Sequence, residues 1–150
     1  MSGGQTGADR AALDWALDRG LACGGWCPKG RKAEDGVIDG RYPLRESSSS
    51  SYLQRTEWNV RDSDGTVVFS LAPKLAGGSL KTVEFARKHG KPWIHVSAVD
   101  PDPAGRLHWF LDDNVIDTLN VAGPRKSKEP EIAEFVYEIL DQVFFRERNR

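Results

Sequence analysis

Short apolar runs alternate regularly with helical patterns along the chain, and this restricts the fold more than any other feature. Thr66-Val67-Val68-Phe69-Ser70 is apolar and β-branched between Gly65 and Pro73, the mark of a buried strand. Ser79–His89 reads as a helix closed by Gly90. Trp93-Ile94-His95-Val96-Ser97 is a second buried strand, Ala104–Asn114 a helix, and Val115–Ala122 a further strand. Ile132, Phe135, Val136, Ile139, Leu140 and Val143 share one helical face, the clearest amphipathic pattern present. Upstream, Gly7–Arg19 gathers Ala8, Ala11, Ala12, Trp15 and Ala16 on one face, and Tyr52–Arg61 is another helix. Such alternation implies parallel strands joined by right-handed crossovers: an α/β, doubly wound, mostly parallel sheet in three layers. Ligands of such sheets bind outside the carboxyl ends of the strands. A first strand should precede Ser2, where only Met1 stands.

Residues 24–51 break the pattern. They carry Gly, Pro, Ser and charge without a period, ending in Ser47-Ser48-Ser49-Ser50-Ser51. This stretch is expected to be a surface excursion that folds over a site, with the serine run its loosest part. The whole chain, 150 residues, suits a single domain over 1–150. Its net charge of −1 argues against a nucleic-acid coat or a membrane-surface binder, either of which needs a basic excess. No apolar run approaches the about 20 residues of a spanning helix, and no secretory pattern opens the chain, so a cytoplasmic protein is expected. Cys23 and Cys27 lack a second Cys or His pair, which favours free thiols over a zinc site. His95 is expected to be a core or strand-end histidine. Asp62-Ser63-Asp64 suits turn chemistry better than a metal.

Chemistry concentrates in glycine turns that open helices. Ser2-Gly3-Gly4-Gln5-Thr6-Gly7-Ala8-Asp9-Arg10 combines a turn with φ > 0 and the unpartnered amides of a helix start, a ready site for an oxyanion. Ser2 and Thr6 add hydroxyls, and Gln5 can reach a ring edge. The competing reading makes Thr6 and Asp9 a capping box and Gly7 a plain turn residue. The second turn, Ala76-Gly77-Gly78-Ser79-Leu80-Lys81-Thr82-Val83-Glu84, should emerge at the same sheet edge, so that both grip one ligand; taken alone, Gly77-Gly78 also reads as loop slack. In a third segment, Gly24 to Gly36, Lys29, Arg31 and Lys32 stand beside Trp26, suited to covering an anion and stacking on a ring, or else to a solvated basic turn. The site set is therefore Gly3, Gly4, Gln5, Thr6, Gly7, Asp9, Arg10, Lys29, Gly77, Gly78, Ser79 and Thr82, with no metal ligands.

The Ser2–Asp14 string resembles the opening motif of the molybdenum carrier family. So do Gly24–Gly36, Arg41-Tyr42-Pro43-Leu44, Asn59–Asp64 and Gly77–Glu84, in that order, and the match runs from Ser2 to about Phe144. The resemblance implies a Rossmann-like fold, akin to molybdenum-cofactor carriers and to lysine-decarboxylase-like nucleotide-processing enzymes. In the latter, Pro-Gly-Gly-x-Gly-Thr-x-x-Glu handles a nucleotide phosphate. Here Leu80 replaces the third glycine, Thr82 fits, and Glu84 falls two residues after it rather than three. The implied function is a carrier for an anionic small molecule: molybdenum cofactor, molybdate or a nucleotide phosphate. The alternative is a nucleotide or nucleoside-phosphate hydrolase with Glu84, Asp9 or Asp35 as general base. Related folds often assemble, so a homo-oligomer is a further expectation.

Overall fold

The computed structural model describes residues 1–146. Three parallel strands form the centre: β5 (Gly65–Ser70) lies between β6 (Trp93–Ser97) and β7 (Leu119–Ala122). Before them come α1 (Ala8–Asp18), four two-residue strands, β1 (Trp26–Cys27), β2 (Lys32–Ala33), β3 (Gly36–Val37) and β4 (Arg45–Glu46), and α2 (Tyr52–Arg61). Helices α3 (Gly78–Lys88), α4 (Pro103–Asn114) and α5 (Ile132–Asp141) complete the alternation, and a π-helical turn covers Gln142–Arg146. The α/β, Rossmann-like architecture is as the pattern implied. None of the described helices is long and apolar enough to cross a membrane.

The two faces of the central sheet differ in chemistry. Val67, Phe69, Ile94, Val96 and Val121 point into the main core, against Ala8, Ala12 and Trp15 of α1, Leu107 and Phe110 of α4, and Ile132, Val136 and Ile139 of α5. On the opposite face Thr66 and Asn120 hydrogen-bond to each other at 3.2 Å, and Ser70 meets His95 at 2.6 Å. Strand alternation turns every second residue of β5 to each side, so a run that looks uniformly strand-like yields one apolar face and one mixed face, where buried Val68 sits between Thr66 and Ser70. His95, expected in the core or at a strand end, is the middle residue of β6 and half-buried, and its burial holds the imidazole below its usual pKa.

The expected first strand is replaced by a two-residue stub. The Met1 ammonium donates to the Leu119 carbonyl at 2.6 Å, Val121 N–H donates to the Met1 carbonyl at 2.8 Å, and Ser2 N–H donates to Gly24 at 3.0 Å. Met1 and Ser2 therefore run between β7 and the parallel pair β1–β4. No strand forms between α1 and Gly24; the first short strand begins at Trp26. Val115 does not open a strand either. It is the left-handed C-cap of α4 at φ 52°, and β7 starts at Leu119.

The excursion is firmly built. The Arg31 guanidinium donates to the carbonyls of Ile38, Leu44, Asp39 and Tyr42, pulling the segment into a loop around itself. Beneath it Leu13, Cys27, Ala33, Ile38 and Tyr42 make a second apolar cluster. Nor is the serine run loose. Ser47 is buried, Ser48 and Ser49 both donate to Gln54 Oε1, and the Ser51 hydroxyl caps α2 by accepting from Leu53 N–H at 3.2 Å. Serine's affinity for helix starts outweighed its low-complexity appearance.

Candidate functional site

A cavity of about 460 Å³ opens at the carboxyl ends of β5 and β7. Its wall draws on both glycine turns: Gly3, Gln5 and Asp9 from the first, and Gly77, Gly78, Ser79 and Thr82 from the second. Ser70, Asn120 and Ala122 come from the mixed face of the sheet, and Arg55, Thr56 and Asn59 from α2. Five cationic side chains (Arg55, Lys74, Lys81, Arg125, Lys128) line it against two carboxylates, Asp9 and Glu129. In a chain of net charge −1 this is a strong local excess. It makes the cavity electrostatically receptive to anions.

At the second turn, Gly77 is the N-cap of α3 with φ 54°. The amides of Gly77 and Gly78 donate to no group among the described residues, and no atom lies within 4 Å of where a Cβ would stand on either. Ser79 is buried, and its hydroxyl has no hydrogen-bond partner among the described residues. Lys74 and Lys128 likewise have no ion-pair partner among them, whereas Lys81 pairs with Glu84 at 3.1 Å. Bare amides, a helix N-terminus and unspent cations converge here.

The side chains of the first turn are spent on structure, although the amides of Gly3, Gly4 and Gly7 donate to no group among the described residues. Gly7 is the N-cap of α1 at φ 80°, but no side chain caps the helix, so the capping box does not form. The first helical amide, of Ala8, donates to the Pro124 carbonyl at 3.2 Å. Thr6 Oγ1 instead donates to Glu34 and accepts from Lys126 N–H at 3.1 Å. Gln5 Oε1 accepts from Thr6 and Glu34 amides, fixing the turn. Gly4 backs onto Leu44 and Ile38. Arg10 pairs with Asp35 and donates to the Gly4 carbonyl at 3.0 Å. Of this set Gly4, Thr6, Gly7 and Arg10 lie off the cavity wall.

Two further expectations are corrected. The basic segment does not cover the cavity: Lys29 is exposed, Arg31 is consumed by four carbonyls, and Lys32 sits over the Tyr52 ring at 5.2 Å. Trp26 makes a T-shaped contact with Trp58, carries Arg45 over its ring and lies off the cavity wall, so it does not stack on a ligand there. Among the proposed general bases, Glu84 is exposed beside Lys81 and Asp35 is tied to Arg10, both outside the cavity. Only Asp9 lines it. Burial pushes the Asp9 carboxyl above its ordinary value, against the pull of Arg55, whose Nη1 lies 3.2 Å away and also donates to the Gly3 carbonyl at 2.7 Å. Burial also raises Cys23 and Cys27, which are free thiols. Among the described residues no three His, Cys, Asp or Glu side chains cluster as metal ligands.

Residues that motif spacing passed over supply much of the wall. Arg55, Asn59 and Thr56 share one helical face of α2, and a buried arginine among them is the one signal that could have marked that helix. Pro124, Arg125, Lys128 and Glu129 belong to the connection from β7 to α5, whose sequence carries no recognisable motif. That connection is latched by Glu34, which accepts from Ser127 N–H (3.1 Å), Ser127 Oγ (2.6 Å) and Thr6 Oγ1, with Arg125 Nε at 3.3 Å. These bonds hold the Glu34 carboxyl below its usual range.

Fold and cavity together define a Rossmann-like α/β protein with a cation-lined pocket at the carboxyl edge of a parallel sheet. The sequence model of the circularly permutated YpsA SLOG family matches residues 1–144, and the chain belongs to that family. It is similar over 95% of its length to a solved structure from Syntrophus aciditrophicus SB described as a "putative molybdenum carrier protein". The identity is 44%, the TM-score 0.92, and the match covers 92% of that chain. None of the curated proteins compared with it matches.

Proposed function

We propose that this protein binds and carries a phosphorylated heterocyclic molecule, of the size of the pterin phosphate of the molybdenum cofactor or of a nucleotide. The reading is carried by one observation: the open amides of Gly77 and Gly78 face a cavity in which cations outnumber carboxylates. Its volume, about 460 Å³, falls within the roughly 300–1,000 Å³ typical of cofactor-sized sites and far exceeds what a lone tetrahedral oxyanion fills. Molybdate alone would leave most of that space to water. On the cavity floor the Asn120 side-chain carbonyl can accept from the edge of a ring, while the phosphate takes the Gly77–Ser79 turn. The description of the Syntrophus protein as a molybdenum carrier favours, among such ring compounds, one that bears molybdenum. Free thiols on Cys23 and Cys27 suit a reducing, cytoplasmic setting.

Thermal unfolding with purified molybdenum cofactor, nucleoside monophosphates and molybdate tests the reading. A phosphorylated ring compound at a hundredfold excess over its Kd should add about 2.7 kcal/mol of stability. The gain should shrink with salt and vanish in the double variant Lys74→Glu, Lys128→Glu. Molybdate should add little. Absence of stabilisation by every phosphorylated compound would overturn the carrier reading.

A further inference from the structure

We propose that the cavity contains a second anion subsite, formed by the backbone amides of Leu71 and Ala72, which the protein's own Glu129 fills until a ligand displaces it. The inference rests on the carrier reading above and extends it to a ligand class: a molecule with two separate anionic groups, one for Gly77–Ser79 and one for Leu71–Ala72.

The geometry is that of an occupied anion nest. The two amides are successive, and they converge on one carboxylate: Leu71 N–H donates to Glu129 Oε1 at 2.7 Å and Ala72 N–H to Glu129 Oε2 at 3.2 Å. Successive amides aimed at one point form the concavity that proteins use for phosphate and carboxylate oxygens. Here the carboxylate comes from the molecule itself, across 58 residues of sequence. The turn that presents the amides is braced from behind, so it does not depend on Glu129 for its shape. Ser70 Oγ and Ser97 Oγ both donate to the Ala72 carbonyl, at 2.6 and 2.8 Å, and His95 Nε2 lies 2.6 Å from Ser70 Oγ. Ala72, Lys74, Lys128 and Glu129 all line the same cavity.

Exchange is also mechanically possible. The β7–α5 connection is held at its other end by the bonds of Ser127 and Arg125 to Glu34 and of Lys126 N–H to Thr6. Glu129 can therefore leave the nest while the connection stays anchored. Displacement costs the ligand the bonds Glu129 gives up, so removing that carboxylate should uncover the subsite to a simpler anion.

Amide NMR titration with inorganic phosphate reads this residue by residue, in the wild type, Glu129→Ala and Glu129→Gln. In the wild type the Gly77 and Gly78 amides should respond first, with Leu71 and Ala72 responding only weakly. In Glu129→Ala the Leu71 and Ala72 amides should respond at least about tenfold more tightly than in the wild type, because a competing carboxylate is gone. Glu129→Gln, which keeps shape and one acceptor without charge, should fall between and serves if the alanine variant does not fold. If Gly77 and Gly78 respond while Leu71 and Ala72 stay silent in both variants, the subsite is overturned and the carrier reading stands. If no amide at either turn responds in any form of the protein, both are overturned.

Discussion

Gly7 and Gly77 stand at the same place in their helices, just before the first turn, and share a conformation that other residues avoid: φ 80°, ψ −127° for Gly7 and φ 54°, ψ −127° for Gly77. Their surroundings are opposite. A Cβ on Gly7 would lie 2.5 Å from the Pro124 carbonyl oxygen and 2.8 Å from the Lys126 nitrogen; one on Gly77 would meet nothing within 4 Å. One turn holds the β7–α5 connection against the body of the protein, and the other is left open to a ligand. A glycine motif before a helix thus specifies a backbone path, while neighbours remote in sequence decide how much space stands around it.

The largest effect should come from Gly7→Ala. It adds a forbidden φ to a collision with backbone that cannot rotate away, and should cost on the order of 4 kcal/mol or more in urea unfolding. An equal loss at Gly77→Ala would break the comparison at once. Next is the latch on the first turn. Hydrogen bonds from Ser127 and Thr6 depress the Glu34 pKa below its ordinary 4.5. Stability from this group is therefore complete above pH 4.5 and is lost as pH falls through its lower folded value. Glu34→Gln should lower the melting temperature at neutral pH and flatten the acid limb of the stability profile below about pH 4.5. A variant with the wild-type acid limb would remove Glu34 from the latch.

Much of the architecture was legible because strand and helix periods were clean: β5, β6 and α1 to α5 lie where apolar spacing put them. That the Gly77–Ser79 turn opens at the carboxyl edge of the sheet was also legible, since parallel strands deliver the helix starts that follow them to one edge, although of the first turn only Gly3, Gln5 and Asp9 reach the same cavity. What the sequence did not disclose were effects of distant partners. Nothing local says that Thr6 would abandon its own helix for Glu34, 28 residues away, or that Arg31 would fold a loop around itself instead of meeting an anion. The serine run misled because low complexity is a property of composition, whereas Ser51 and Gln54 act through position. Arg55 and Glu129 belong to no motif, and only the packed chain shows them beside the cavity.

Smaller effects probe the open turn. Gly77→Ala should cost about 1–2 kcal/mol, the strain of its φ alone, with no collision to add. Gly78→Ala is the finest test, because Gly78 is the first residue of α3 and needs no positive φ. Alanine is the better helix former by up to about 1 kcal/mol in a helix interior, and less at a helix end, so stability should stay within about 0.5 kcal/mol of wild type. The added methyl would nevertheless stand where the proposed ligand's phosphate meets bare backbone. Affinity for a nucleoside monophosphate or inorganic phosphate should fall about tenfold by calorimetric titration, with unfolding unchanged. Loss of binding without loss of stability at Gly78, against loss of stability at Gly7, is the division of labour the two environments require. Unaltered affinity in Gly78→Ala would move the ligand away from this turn and leave the two glycine motifs differing in packing alone.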